Sequence, residues 1–171
     1  MTINFDHTLG DALEQIEFTE ELRQFLVHEE EQERDHNLSC EIIEKYGNIK
    51  WQIVDLLNEK FSHCLTDKFD LYNWINLNAN DELSYFLNEA GSNCLNYSQY
   101  KAPYRFHLWL GVKGFVVAIE QKGTGFNAQE ILDKGIKTNE GAAFDFFKNC
   151  RSKIFFDNHE NAKTVFMQWK N

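Results

Sequence analysis

The chain has 171 residues, enough for one domain of ordinary size with a hydrophobic core of its own. Its net charge is −10, with 27 acidic against 17 basic residues; nucleic acid and anionic membrane surfaces both attract basic faces, so this balance argues against either partner. Hydrophobic residues make up 43% and Phe alone fills 15 positions, so the expected core is rich in aromatic rings.

No apolar run approaches the roughly 18 residues of a membrane helix. The opening Met1-Thr2-Ile3-Asn4-Phe5-Asp6 lacks the basic-then-apolar order of a secretory signal. The four cysteines, Cys40, Cys64, Cys94 and Cys150, form no C-x-x-C pair. These features lead to the expectation of a soluble protein in a reduced, cytoplasmic setting.

Two helices are expected first. Over residues 10–34, Leu13, Ile16, Leu22, Phe25 and Leu26 form a broken helical stripe. The acidic run Glu29-Glu30-Glu31, with Glu33 and Asp35 close by, reads as a solvated face or an exposed connection. Over residues 38–65, Ile42, Tyr46, Ile49, Ile53 and Leu56 alternate steps of four and three, the signature of an amphipathic helix. Gly47 within it costs about 1 kcal/mol relative to Ala and marks a place where the helix can kink. Paired as a hairpin, the two helices would cover a core or form the interface of a homodimer.

Residues 66–80 are rich in Asn and Asp and read as a connection with one apolar patch, Leu71-Tyr72-Asn73-Trp74-Ile75. A third helix is expected from Asn80, which can cap it, to about Gln99; Asp81 and Glu82 suit its positive end. Leu83, Phe86, Leu87, Ala90 and Cys94 form its apolar stripe. A hairpin follows, with strands at 105–112 and 115–119 and Lys113-Gly114 at the turn. Beyond the loop Gly123-Thr124-Gly125 come a short helix at 128–134, another at 141–150, and strands at 153–156 and 164–169. A layer of helices over one mixed sheet, an α+β fold, buries these faces.

Three segments carry candidate chemistry. Glu89, Asn93 and Tyr97 are spaced by four and share one face of the third helix. A carboxylate and an amide one turn apart suit a metal–phosphate site, the amide oxygen as a Mg²⁺ ligand and the carboxylate as a base. Read alone, such a face is more often merely solvated. Gln121-Lys122-Gly123-Thr124-Gly125-Phe126-Asn127 follows an apolar strand directly, and glycines there let backbone approach a ligand closely. Asn139-Glu140-Gly141-Ala142-Ala143-Phe144 places small residues at a helix start, where free N–H groups attract phosphate.

Taken together and in this order, residues 81–169 resemble the histidine-kinase-like (GHKL) ATPase superfamily, and within it the anti-sigma-factor serine/threonine kinases. In that pattern a helix carries Glu-Ala-x-x-Asn and ends in His-Ser or Tyr-Ser, matched by Glu89-Ala90-Gly91-Ser92-Asn93 and Tyr97-Ser98. Two strands then lead into Asp-x-Gly-x-Gly-Phe-Asp, matched from Gln121 to Asn127 except at both acids. A lid and a Gly-x-Gly-Leu helix start follow, loosely matched by Gly141-Ala142-Ala143-Phe144.

The resemblance implies a two-layer α/β sandwich of the Bergerat ATP-binding type over residues 66–171, with residues 1–65 as a helical extension. It implies ATP and Mg²⁺ as cofactors and transfer of the γ-phosphate to a regulatory partner protein in signal transduction. Asn93 would ligate Mg²⁺ and Glu89 would be the catalytic general base. Gly123 and Gly125 would pass backbone near adenine and ribose, and Gly141, Ala142, Ala143 and Phe144 would meet the phosphates. Lys134 and Lys137, in the lid, would neutralise phosphate charge, and Thr164 would lie near adenine. The adenine-reading Asp is replaced by Gln121, which keeps an acceptor oxygen but loses the charge that makes such a bond about twice as strong. Weaker ATP binding is the expected direction. With Ala143 for the second phosphate-box glycine, this opens a second reading, a binding module of the same fold that sequesters a partner without turnover.

A third reading is a histidine phosphotransferase, with His28 or His36 as phospho-acceptor on a dimeric helical hairpin. The six histidines show no metal-ligand spacing, and neither a Gly-x-Ser-x-Gly elbow nor a P-loop occurs.

Overall fold

The structure, a computed structural model, describes residues 3–27, 40–61, 82–138 and 150–171, the side chains of 22–24, 40 and 135–138 excepted. The first helix, α1 (Leu9–Gln15), starts at Thr8. The Thr8 hydroxyl accepts from the Asp11 backbone N–H at 3.2 Å, and the Asp11 carboxylate accepts from the Thr8 N–H at 3.0 Å. This reciprocal cap satisfies two of the donors a helix start leaves open.

The helix is short, which corrects the expected helix over residues 10–34. After Gln15 the chain turns, with Glu17 at φ 54, and runs as strand β1 (Phe18–Leu26). Beyond it, residues 28–34 lie outside the described residues. The misreading has a physical cause. β1 pairs with its neighbour through two register shifts, between Phe18 and Glu20 and between Glu21 and Gln24. Each such bulge resets the two-residue alternation of a strand, so the apolar positions take on helix-like spacing.

Helix α2 (Cys40–Phe61) is present, runs through Gly47, and buries Ile42, Tyr46, Ile49, Ile53 and Leu57. Helix α3 (Glu82–Tyr97) buries the expected Leu83, Phe86, Leu87, Ala90 and Cys94. Its first carboxylate, Glu82, accepts from the backbone N–H groups of Arg151 and Ser152, and from the Ser152 hydroxyl at 2.7 Å. That ties the start of α3 to the approach of a distant strand. The hairpin β2 (Arg105–Gly111) and β3 (Gly114–Glu120) forms as expected, with Val112 and Lys113 at its turn. Helix α4 (Ala128–Thr138) runs past the expected end at 134; the Asn127 side chain caps it by accepting from the Glu130 N–H at 2.9 Å. Strands β4 (Lys153–Phe156) and β5 (Thr164–Lys170) close the chain. The helix expected over 141–150, the connection at 66–80, and His28 and His36 fall outside the described residues, except Cys150, which is not helical.

The five strands form one sheet in the order β1-β2-β3-β5-β4, every neighbouring pair antiparallel. Ile3 adds an isolated parallel bridge to Ile154 beside β4. One face, with Phe106, Leu108, Phe115, Val117, Ile119 and Met167, packs under α2 and α3. On the other face Ala12 of α1 and Ile16 just past its end cover Trp109, Val116, Ala118, Phe155 and Phe166. Phe86, Phe106, Phe115 and Phe155 are fully buried, each stabilising the fold by about 1.5–3 kcal/mol. The class is α+β. Residues before 65 are not wholly a helical extension: β1 extends the common sheet, and Phe25, Val27 and the buried side of α2 enter the same core as α3 and the hairpin. Among the described residues no helix is long and apolar enough to cross a membrane.

Candidate functional site

A cavity of about 40 Å³ opens between α3, the end of β3 and the ends of β4 and β5. Its floor is apolar: Ala90 and Cys94, one turn apart on α3, with Ile119 and Val165 from the sheet. Two rings, Phe126 and Phe156, form one wall, and they meet edge-on with centroids 6.0 Å apart. The polar groups at its margin are Asn93, Gln121 and Lys163. Asn93 and Gln121 are 28 positions apart in the chain and meet here because β3 runs beneath α3 and delivers its end to that face.

The Gln121 amide has a defined orientation. Its backbone N–H donates to the Lys163 carbonyl at 2.8 Å, fixing the strand end. Its side-chain Nε2 donates to the Thr124 carbonyl at 3.1 Å. A carbonyl only accepts, so the nitrogen must face Thr124 and Oε1 must face the other way, toward Cys94. The Cys94 thiol donates to that oxygen at 3.9 Å. Burial pushes this thiol up to about 12, so it remains a protonated donor. The oxygen of Gln121 is therefore the acceptor at the cavity margin.

The two loop glycines are required by the chain itself. Gly123 has φ 84, and a Cβ there would strike the Gln99 carboxamide and approach Tyr100 to 2.8 Å. Gln99 Oε1 also accepts from the Thr124 backbone N–H at 2.9 Å. A Cβ on Gly125 would meet the Asn161 side chain, with the Asn161 backbone at 2.7 Å. Phe126 and Ala162 exchange backbone hydrogen bonds at 3.0 and 2.7 Å, and the Ala128 N–H donates to the His159 carbonyl. The loop is thus zipped between the end of α3 and the β4–β5 turn. Close backbone approach, expected here toward a ligand, is already demanded by these internal contacts.

The other expected site residues are dispersed. Glu89 lies one turn before Asn93 and is half-buried; burial holds its carboxyl above the usual carboxylate range. It does not line the cavity. Tyr97 is 81% exposed at the last turn of α3. Thr164 pairs with Glu120 in the sheet, while its neighbours Lys163 and Val165 line the cavity. Side chains alternate along a strand, so Thr164 stands on the opposite face from Val165. Lys134 lies 3.9 Å from Glu130 on the exposed side of α4. The side chain of Lys137, and Gly141, Ala142, Ala143 and Phe144, lie outside the described residues. Lys163, Phe126 and Phe156 carry no role in the sequence reading. The alternation of β5 was the available signal for Lys163; for the two rings there was none, because their convergence depends on the bridge between Phe126 and Ala162.

Among the described residues no group of three or more His, Cys, Asp or Glu side chains is placed to hold a metal ion. Mg²⁺ would depend on the Asn93 amide and on the phosphates arriving with it. The lining includes the two residues that the resemblance assigns to a nucleotide, Gln121 to the amino group and Asn93 to the metal, over an apolar floor. The volume does not fit a nucleotide, since about 40 Å³ holds a few waters while ligand pockets run to roughly 300–1,000 Å³. No family model, no curated protein and no solved structure matches the chain.

Proposed function

We propose that this chain is an ATP- and Mg²⁺-binding regulatory protein of the histidine-kinase-like type, resembling anti-sigma-factor serine/threonine kinases and acting on a partner protein. One observation carries the reading. The two segments that the resemblance assigns to one site, Glu89-Ala90-Gly91-Ser92-Asn93 and the stretch from Gln121, meet at one cavity through Ala90, Asn93 and Gln121. Among the described residues the element order after residue 81, helix, two strands, glycine loop, helix, two strands, accords with the expected order, apart from the helix expected over 141–150, which lies outside them. In this reading Asn93 ligates Mg²⁺, Gln121 accepts from the adenine amino group, and Glu89 is the general base. Its raised pKa brings it closer to the range in which a carboxylate acts as a base at neutral pH. Bound ATP supplies the phosphoryl group and, with Mg²⁺, the charge that activates it.

A second reading, a partner-sequestering module without turnover, is favoured by the cavity volume and by the internal hydrogen bonds that already engage Gln121 and the glycine loop. Isothermal titration with Mg²⁺ and ATP separates the two. Micromolar affinity that disappears in Asn93→Ala supports the first reading. No heat at millimolar ATP overturns it in favour of the second, and an affinity unchanged in Asn93→Ala rejects the assigned site.

A further inference from the structure

We propose that residues 3–8 form a strap that holds the cavity closed, and that a ligand gains room there only when the strap lifts. That the ligand is a nucleotide rests on the reading above; the strap itself rests on contacts. The strap wraps the outer edge of β4. Ile3 is buried and bridges to Ile154, and the Asn4 N–H donates to the Ile154 carbonyl at 2.9 Å. Phe5 then stacks on Phe156, centroids 5.8 Å apart and rings 24° from parallel, and sits 5.3 Å from the His159 ring. Past the edge, His7 is buried on the opposite face, edge-on to Phe155 at 4.8 Å. Its Nε2 shares a 2.7 Å hydrogen bond with Gln168 Oε1, and Gln168 Nε2 donates to Gln15 of α1 at 3.2 Å.

The position of Phe5 gives the strap its leverage. Phe156 is both a wall of the cavity and the ring against which Phe5 stacks. The floor belongs to α3 and the central sheet, and the second wall ring, Phe126, is zipped to Ala162. The least anchored wall is β4, a four-residue strand at the end of the sheet, hydrogen-bonded to β5 on one side and to the strap on the other. Phe5 stacks on Phe156 without itself lining the cavity, so a shift of Phe156 that widens the cavity toward a purine must carry Phe5 along or break this stack. A four-residue strand at the end of the described sheet has fewer backbone hydrogen bonds to break than the sheet centre, so this edge is where opening is cheapest.

Cys94 makes the proposal testable without any nucleotide, because its buried thiol lies on the cavity floor. The experiment is N-ethylmaleimide labelling of Cys94 in the folded full-length chain, quantified on its peptide by mass spectrometry, over a series of low urea concentrations. Phe5→Ala is expected to speed labelling at least tenfold in the absence of urea, with a shallow urea dependence that marks local opening. An unchanged rate, or a rise with the full urea dependence of global unfolding, overturns the strap. Should Phe5→Ala fail to fold, Phe5→Leu is read by the same criteria, with a rise of several-fold expected. Adding Mg²⁺ and ATP to the opened variant tests the other reading: protection of Cys94 supports a nucleotide in the cavity, and faster labelling without protection keeps the strap while removing the nucleotide.

Discussion

Two helical glycines ought to respond to the same substitution with opposite signs. By propensity alone, Ala in place of Gly stabilises a helix interior by about 1 kcal/mol. At Gly47 of α2 that is the whole effect, since among the described residues a Cβ there meets nothing within 4 Å. Gly47→Ala should therefore stabilise by about 0.5–1 kcal/mol. At Gly91 of α3 a Cβ would fall on the Tyr46 ring, with Cζ and Oη at 2.6 Å. That ring cannot step aside cheaply: it is buried, stacks on Phe106 at 5.9 Å, and donates its hydroxyl to the Leu87 carbonyl at 2.8 Å. Overpacking costs about 1–3 kcal/mol and a displaced hydroxyl about 1 kcal/mol more. After the propensity gain, Gly91→Ala should destabilise by about 1–3 kcal/mol. Urea denaturation of both variants measures this directly. In the Tyr46→Ala background the ring is gone, so Gly91→Ala should become neutral or stabilising, a strong coupling in a double-mutant cycle. A stabilising Gly91→Ala in the natural background, or one that stays destabilising without Tyr46, would refute the argument that this glycine sets the approach of α2 to α3.

Burial lowers the pKa of His7 below 6.5, outweighing the Gln168 hydrogen bond, with Lys153 lowering it further and Asp11 opposing. The unfolded chain then binds the proton more readily, so this contribution is complete above pH 6.5 and is lost as pH falls through the depressed folded value. His7→Gln should flatten the fall in Tm between neutral and mildly acidic pH; parallel curves for the two proteins would contradict this. Glu89 has the reverse sign, its pKa raised above 4.5 by burial, so its ionised form costs stability at neutral pH. Glu89→Gln should raise Tm at pH 7, with the gain shrinking as pH falls through the raised folded value toward 4.5 and gone below it, and a Tm that drops at pH 7 would mean the carboxylate is structurally engaged. Because Gln121 turns an acceptor toward the cavity, ATP should bind about tenfold more tightly than ITP, which carries a carbonyl in place of the amino group. Equal affinities measured by titration would show that Oε1 does not read the base.

The elements legible in the sequence were those whose apolar spacing is undisturbed by their neighbours. The α3 stripe Leu83, Phe86, Leu87, Ala90 and Cys94 keeps helical spacing and is buried throughout. Phe106, Leu108 and Leu110 alternate, and their strand pairs with β3 in unbroken register. β1 failed because its two register shifts are fixed by pairing with β2, and no local pattern announces them. The register of α2 was off by one at its end, where Leu57 rather than Leu56 is fully buried, since a heptad-like step drifts against a 3.6-residue turn.

The candidate site divides along the same line. Asn93 and Gln121 could be named in advance because each belongs to a local motif, and their motifs do meet at the cavity. What the motif could not supply is the reason for each residue. Gly123 and Gly125 satisfy a ligand-binding pattern, yet Gln99, Tyr100 and Asn161 already leave no room for a side chain there. A glycine demanded by the fold is retained whether or not a ligand binds, so these two positions carry no weight for nucleotide binding. Asn93 is different in kind, because its half-buried side chain lines the cavity itself. Nucleotide binding at this cavity would therefore depend on Asn93, on the acceptor of Gln121, and on outward movement of the wall at Phe156.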